Sequence, residues 1–321
     1  MDGNTADSAK RSRRPFIAVI AIIVILFCGW QIRQQLEDWK PAGPVSLFVS
    51  TANDFDLSEA TIPVKEILAG GPPKDGIPAL AHPKFIAGNE AETMQSDDQV
   101  IGVVIDGEAR AYPLKILDFH EIVNDTVGKT PIAVTYCPLC DSSVVFDRRL
   151  EGATRELGVS GKLYNSNVLM YDRQSSGTES LVSQMMAKGV TGPLANMPLR
   201  RLPLEVTTWE SWCSRYPASQ VMSIDTGHQR KYDRTVYASY FASPELVRPV
   251  TPTDERLSAK TSVLGVAAGD VVRAYPIEEF LSSNDDKLEQ QLGGKSFALT
   301  ADRPGKTLRI QSADEGVEWA Y

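Results

Sequence analysis

Two of the four cysteines, Cys137 and Cys140, and one of the three histidines, His120, fall within the stretch from Ile116 to Arg149, ILDFHEIVNDTVGKTPIAVTYCPLCDSSVVFDRR. Two thiols separated by two residues can exchange with a disulfide, one sulfur attacking and the other resolving. An imidazole within reach would lower a thiol pKa or shuttle its proton. On this redox reading Cys137, Cys140, His120 and Glu121 are the catalytic residues, Glu121 orients the imidazole, and the amide of Asn124 holds substrate. The same two thiolates and one imidazole, Cys137, Cys140 and His120, would also make a three-ligand metal site with an open fourth position. Zinc, iron or copper would suit it, completed by His82 or Asp147. A third reading is a non-catalytic binding or structural domain in which the pair forms a local disulfide, a weak staple because the loop it closes is so small.

These side chains need elements to position them. PIAVT, residues 131–135, is short and β-branched and reads as a buried strand running into Tyr136 and the cysteines, and SSVVFD after them reads as another. The pair therefore sits at a turn between strands and not at a helix N-terminus, where a dipole would acidify it. Asp141, directly after the pair, is a residue type that tolerates positive φ, as in a metal-holding knuckle. A closed site of four thiolates would need a second cysteine pair, and Cys28 and Cys213 stand alone and far apart in sequence.

Asp106-Gly107 between two apolar runs predicts a hairpin over residues 100–112. Its pattern returns: VIGVVIDGEARAYPLKIL at 100–117 matches VLGVAAGDVVRAYPIEEF at 263–280, and each is followed by a Gly-Lys turn and an apolar strand. The match implies two related β-rich halves, near 97–150 and 260–312. The second half has nothing in place of His120, Cys137 or Cys140, so the scaffold does not need them to fold. Between the halves, Ser160, Tyr164, Asn165, Ser166, Asn167 and Asp172 crowd polar groups onto strand-like sequence. They are candidates, with Tyr136, to line a substrate pocket, and Asn-Ser-Asn would equally make Asx turns. LEVTTWESWCSRY at 204–216 reads as a helix capped at Thr207 or Thr208, with Cys213 in the core. His228 reads as an exposed turn residue.

Composition is that of a globular protein, 42% hydrophobic and 23% charged, and a net charge of −8 gives no support to nucleic-acid binding. A basic tail, residues 1–14, precedes an uncharged apolar segment, 15–31, which reads as an uncleaved transmembrane helix in contact with the lipid bilayer. The positive-inside rule leaves the N-terminus cytoplasmic and exports the rest. In a Gram-negative cell the chain is then a single-pass inner-membrane protein with a periplasmic domain. A stalk spans 32–56 and the exported domain 57–321. The expected fold class is α+β, mainly β, in a single exported domain of two related halves.

GGPPKDGIPAL, HEIVNDTVG, VTYCPLC, VVFDR, GVSGKLYNSNVLMYDR and the late VLGV and RAYP runs resemble, in the same order, the bacterial family called domain of unknown function 3179. The resemblance covers roughly residues 57–310. Some members carry selenocysteine in the pair that corresponds to Cys137 and Cys140, which implies redox work for the pair here. This chain departs from the family at Asp141, where a small residue usually follows the pair, and at Val182, where the LWSQ run usually has Trp. The substrate and the redox partner stay unassigned.

Overall fold

The computed structural model of the chain describes residues 55–321 apart from 175–177, 234 and 313. The basic tail, the apolar segment with Cys28, and the stalk up to residue 54 lie outside the described residues. Among those described, no helix is long and apolar enough to cross a membrane.

The fold is mainly β, as expected, in a five-bladed propeller-like arrangement. The first sequence repeat forms a hairpin of β1 (Gln99–Ile105) and β2 (Glu108–Pro113), a short helix α1 (Leu114–Leu117), and a meander of β3 (Ile122–Val127), β4 (Thr130–Cys137) and β5 (Ser142–Asp147). Asp106 and Gly107, at φ 52° and 81°, make the predicted hairpin turn. Then come β6 (Glu156–Tyr164), β7 (Asn167–Arg173) and β8 (Leu181–Ser183). The helix expected over 204–216 is shorter: Glu205–Thr208 pairs with β1, and only Trp209–Arg215 is helical (α2), capped by Thr208, which accepts from Ser211 N. A long connection carrying one short helix, α3 (Ala238–Ala242), leads to the second copy. That copy comprises β9 (Val263–Ala268), β10 (Val271–Pro276), α4 (Ile277–Ser282), β11 (Lys287–Leu292), β12 (Lys295–Asp302) and β13 (Thr307–Gln311).

The repeated stretches fold in the same register. Gly102 pairs with Ala111 as Gly265 pairs with Ala274, and Cys137 pairs with Ser142 as Asp302 pairs with Thr307. The sheets, however, are not shared out as two halves. Each copy places its hairpin in one sheet and its meander in another, and β6–β8 form a fifth sheet with two short edge strands, Leu68–Ala69 from before the first copy and Lys188–Gly189 from between the copies. A hairpin buries only one face by itself, so each unit must pack against other blades.

Strand alternation decides which way the site faces. Along β4, Ile132, Val134 and Tyr136 enter the core with β1, β2 and α1, while Ala133 and Cys137 point the other way, into the core with β6, β7 and β8. Cys137 is thus aimed at the polar run that begins at the β6–β7 turn.

Candidate functional site

Cys137 ends β4, Ser142 opens β5, and residues 138–141 form the hairpin tip, closed by Asp141 at φ 49°. Both sulfurs are free thiols; Cys137 is buried and Cys140 exposed. Cys140 is exposed as a residue, while Ser142 and Asn167 crowd its sulfur. Exposure governs who can reach it, and those neighbours govern its charge.

The amide of Asn167 donates to Cys140 Sγ at 3.2 Å, and Ser142 Oγ lies 3.0 Å from the same sulfur. Cys140 is brought down to about 7, chiefly because the Cys137 thiol donates to it; Ser142 and Asn167 help, and burial opposes them. Cys137 is pushed up by that same hydrogen bond and by burial. Its proton has a second acceptor in Ser166 O, 3.8 Å away. One accessible, acidified thiol therefore sits against one buried thiol that keeps its proton.

Gln184 orders the donors around Cys140. Its Oε1 accepts from Ser142 Oγ at 2.8 Å and from Asn167 Nδ2 at 2.7 Å, while its Nε2 donates to Thr135 Oγ1 at 3.0 Å and to Ser142 O at 3.2 Å. Met185 N donates to Asn167 Oδ1 at 3.1 Å, which turns the Asn167 amide nitrogen toward the sulfur. All of these side chains are buried, and each polar group has a partner, so the network holds one arrangement.

Acidic and phenolic groups line the other side. Burial raises Asp118 to about 6, and burial together with the Cys140 charge raises Glu121 to about 8. Tyr136 Oη donates to Asp141 Oδ1 at 2.8 Å. Tyr237 is raised by burial and then by the charges of Glu121, Asp118 and Cys137. The segment around α3 is tied down over the site: Tyr240 Oη donates to Leu139 O at 2.7 Å, Ser166 Oγ to Arg248 O at 2.7 Å, and Asn165 Nδ2 to Thr251 O at 2.8 Å.

His120 is fully buried, and its ring is spent elsewhere. Nδ1 lies 2.8 Å from Pro78 O, a group that can only accept, so Nδ1 carries the proton; Nε2 then accepts from Tyr232 Oη at 2.7 Å. Burial lowers this imidazole to about 4, keeping it neutral. The expected partnership of His120 with a thiol, and of Glu121 with the imidazole, is therefore not what the structure places here. His120 instead joins the loop near Tyr232 to Pro78. As for a metal, among the described residues no group of three His, Cys, Asp or Glu side chains is arranged to hold one. Of the expected auxiliary ligands, Asp147 is engaged by Arg149 and Arg200, and His82 is an exposed loop residue at φ 52°.

The polar run divides. Asn167 and Ser166 reach the cysteine pair; Asn165 and Ser166, both at positive φ, make the β6–β7 turn and hold the α3 segment. The others are structural. Ser160 donates to Leu169 O and accepts from Lys162 N across a bulge in β6, and Asp172 accepts from Ser180 N and Gln174. Tyr164 packs partly buried beside Phe55 and Tyr171. Asn124 spends its amide on backbone, donating to Leu80 O and Leu157 O and accepting from Leu157 N, so it holds strands together and not a substrate. Sequence reasoning missed Ser142, Gln184, Tyr237 and Tyr240. Only Gln184 had a signal, as the last residue of the run LVSQ.

A family model described as Protein of unknown function (DUF3179) matches residues 74–318, more than half of the chain, and the chain belongs to that family. No curated protein and no solved structure matches it.

Proposed function

We propose that this member of the family is a thiol–disulfide oxidoreductase in which Cys140 attacks and Cys137 resolves. The observation that carries the reading is the asymmetry of the pair, an exposed thiol lowered to about 7 by three hydrogen-bonding neighbours beside a buried thiol pushed up. The Cys140 thiolate displaces one sulfur of a substrate disulfide, giving a mixed disulfide and a free thiolate. Cys137 then attacks Cys140 Sγ, releasing the second substrate thiol and leaving a Cys137–Cys140 disulfide; two electrons pass to the substrate.

The internal repeat supports a functional origin for the thiols. In the second copy the same tip, residues 303–306, closes with Lys306 at φ 53°, and Asp302 and Gly305 stand where Cys137 and Cys140 stand in the first. We read the two copies as one duplicated unit in which only the first kept the chemistry, and residues 15–31 as the anchor that holds the domain on the exported face of the inner membrane.

Trapping tests the reading. Reduced Cys137→Ser protein treated with glutathione disulfide should accumulate a mixed disulfide on Cys140, located by peptide mass analysis, and prior dialysis against a chelator should not change the yield. Cys140→Ser protein should form none. Equal labelling of both variants, or of neither, would refute the assignment.

A further inference from the structure

The two copies of the repeated hairpin have different surroundings. In the first, one continuous stretch of chain wraps it. Glu205–Thr208 pairs along β1, α2 crosses one face, and Gln220–Met222 pairs in parallel along β2, with Gln220 opposite Arg110 and Val221 opposite Ala111. The crossing is close: a Cβ on Gly102 would meet the Trp212 ring at 2.2 Å, and Trp209, Trp212 and Val221 pack with the fully buried Val100 and Ala111.

The second copy has the hairpin without the wrap. Val317–Ala320 pairs along the outer side of β9, but β10 has no strand along its free edge among the described residues. Strand alternation puts Val263, Gly265 and Ala267 of β9 on one face with Val272 and Ala274 of β10, the face that α2 covers in the first copy. None of these five is buried. A Cβ on Gly265 would find its nearest atom at 3.7 Å, so the slot that takes an indole in the first copy is open here. Ala274 is exposed where its counterpart Ala111 is fully buried, and Val272, at 72%, is the most exposed large apolar side chain among the described residues.

Charge differs at the same place. Arg110 pairs with Asp125 at 2.7 Å, and its guanidinium lies 4.5 Å from the ring of Phe85, on the strand next to Gln220–Met222. Arg273 is exposed, donates to the neutral Gln290 at 2.8 Å, and makes no ion pair among the described residues. The second hairpin therefore shows a row of unpaired backbone groups, an apolar face and an unpaired cation side by side, and an edge of that kind is a template for another chain.

We propose that the second hairpin docks a segment of another protein, one that supplies what the first hairpin takes from its own chain. That segment is a short helix laying an aromatic ring on Gly265, followed by a strand running parallel to β10 with a carboxylate beside Arg273. Main-chain bonds along β10 give the affinity, and the slot at Gly265 and the cation give the choice of partner. A second copy of this chain is a poor occupant, because its own helix–strand segment is spent on its own first hairpin. The site is independent of thiol exchange, since the second copy carries no cysteine.

The chain's own covering segment serves as the probe. A synthetic peptide of residues 208–223, carrying Cys213→Ser and Ser219→Cys, places its thiol beside residue 272 if it docks on the second hairpin as it lies on the first, where Ser219 precedes the partner of Arg110. The full chain, with Cys28, Cys137, Cys140 and Cys213 replaced by alanine and Val272→Cys added, should capture this peptide as a mixed disulfide. Capture should be at least about tenfold faster than with Val104→Cys, an exposed position on the wrapped copy, because docking raises the local thiol concentration. Gly265→Leu in the protein should remove the difference, and so should Trp212→Ala in the peptide, a change that asks nothing of the protein's folding. Gln220→Glu in the peptide should add about threefold, the scale of a cross-strand ion pair, and Arg273→Gln in the protein should erase that gain. Equal capture at positions 272 and 104 would overturn the proposal. So would protein dimers joined through residue 272 that form as fast without peptide, which would give the edge to a second copy of the chain.

Discussion

Replacing Asn167 by alanine should make Cys140 a weaker acid without disturbing the rest of the pair. A hydrogen bond to an ionised group contributes about 1.5–3 kcal/mol, and 1.36 kcal/mol corresponds to one pH unit, so a full bond would hold the thiol down by about one to two. Asn167 Nδ2 is shared, reaching Gln184 Oε1 at 2.7 Å, Cys140 Sγ at 3.2 Å and Ser142 Oγ at 3.4 Å. The lower end of that range therefore applies. From about 7 the thiol should rise by roughly one pH unit, and the thiolate fraction at pH 7 should fall from about one half to about one tenth. The thiolate band near 240 nm, titrated in a Cys28→Ala, Cys137→Ser, Cys213→Ala background so that a single sulfur reports, gives the pKa directly, and the iodoacetamide rate against pH gives it independently. That background removes the largest cause of the lowering, so its thiol starts above 7 and the assay reads the shift of roughly one pH unit between it and the same protein lacking Asn167, not the thiolate fractions of the intact pair. An Asn167→Ala titration that overlays its parent, with the melting temperature kept, would refute the claim that this amide tunes the sulfur.

The repeat yields a paired stability test: a Cβ on Gly102 would meet the Trp212 ring at 2.2 Å, whereas at the matching Gly265 the nearest atom is 3.7 Å away. Gly102→Ala should cost about 2–3 kcal/mol in urea unfolding and Gly265→Ala less than about 1, and equal costs would contradict the register. Because His120 is held neutral, to about 4 against an ordinary 6.5, the unfolded chain binds a proton that the folded one refuses as pH falls from about 6.5 toward 4. Stability is lost in that window, up to about 3 kcal/mol, and the urea midpoint of a His120→Gln variant should fall less on acidification than that of the wild type. Tyr240→Phe removes the bond to Leu139 O and should raise the labelling rate of Cys140 by a bulky maleimide several-fold while leaving a small alkylating reagent unaffected; unchanged rates for both would show that the α3 segment does not limit access.

Much of the site's frame was legible before any coordinates. Strand, tip and strand around Cys137 and Cys140 follow from a β-branched run, a Pro-containing turn and Asp141. The hairpin at Asp106-Gly107 and the register of the two copies follow from local pattern and repetition. The companions of the sulfurs were not legible. His120 reads as a partner because it is rare and near in sequence, yet the β3–β4 geometry sends its ring to Pro78 and Tyr232. Asn124 and Asn167 look alike as polar residues on strands, and only packing separates the one that binds backbone from the one that touches sulfur.

By itself the sequence determined that two thiols would sit at a strand turn in a duplicated β unit, because alternation and turn chemistry act over a few residues and survive in any packing. Tertiary structure alone decided which thiol is open, which amide reaches its sulfur, and that the His120 ring is bonded to Pro78 and Tyr232 and not to a thiol. Those outcomes depend on groups tens of residues away in the chain, such as Gln184 and Tyr232, whose arrival at the site is set by how the blades pack and by nothing in the local pattern.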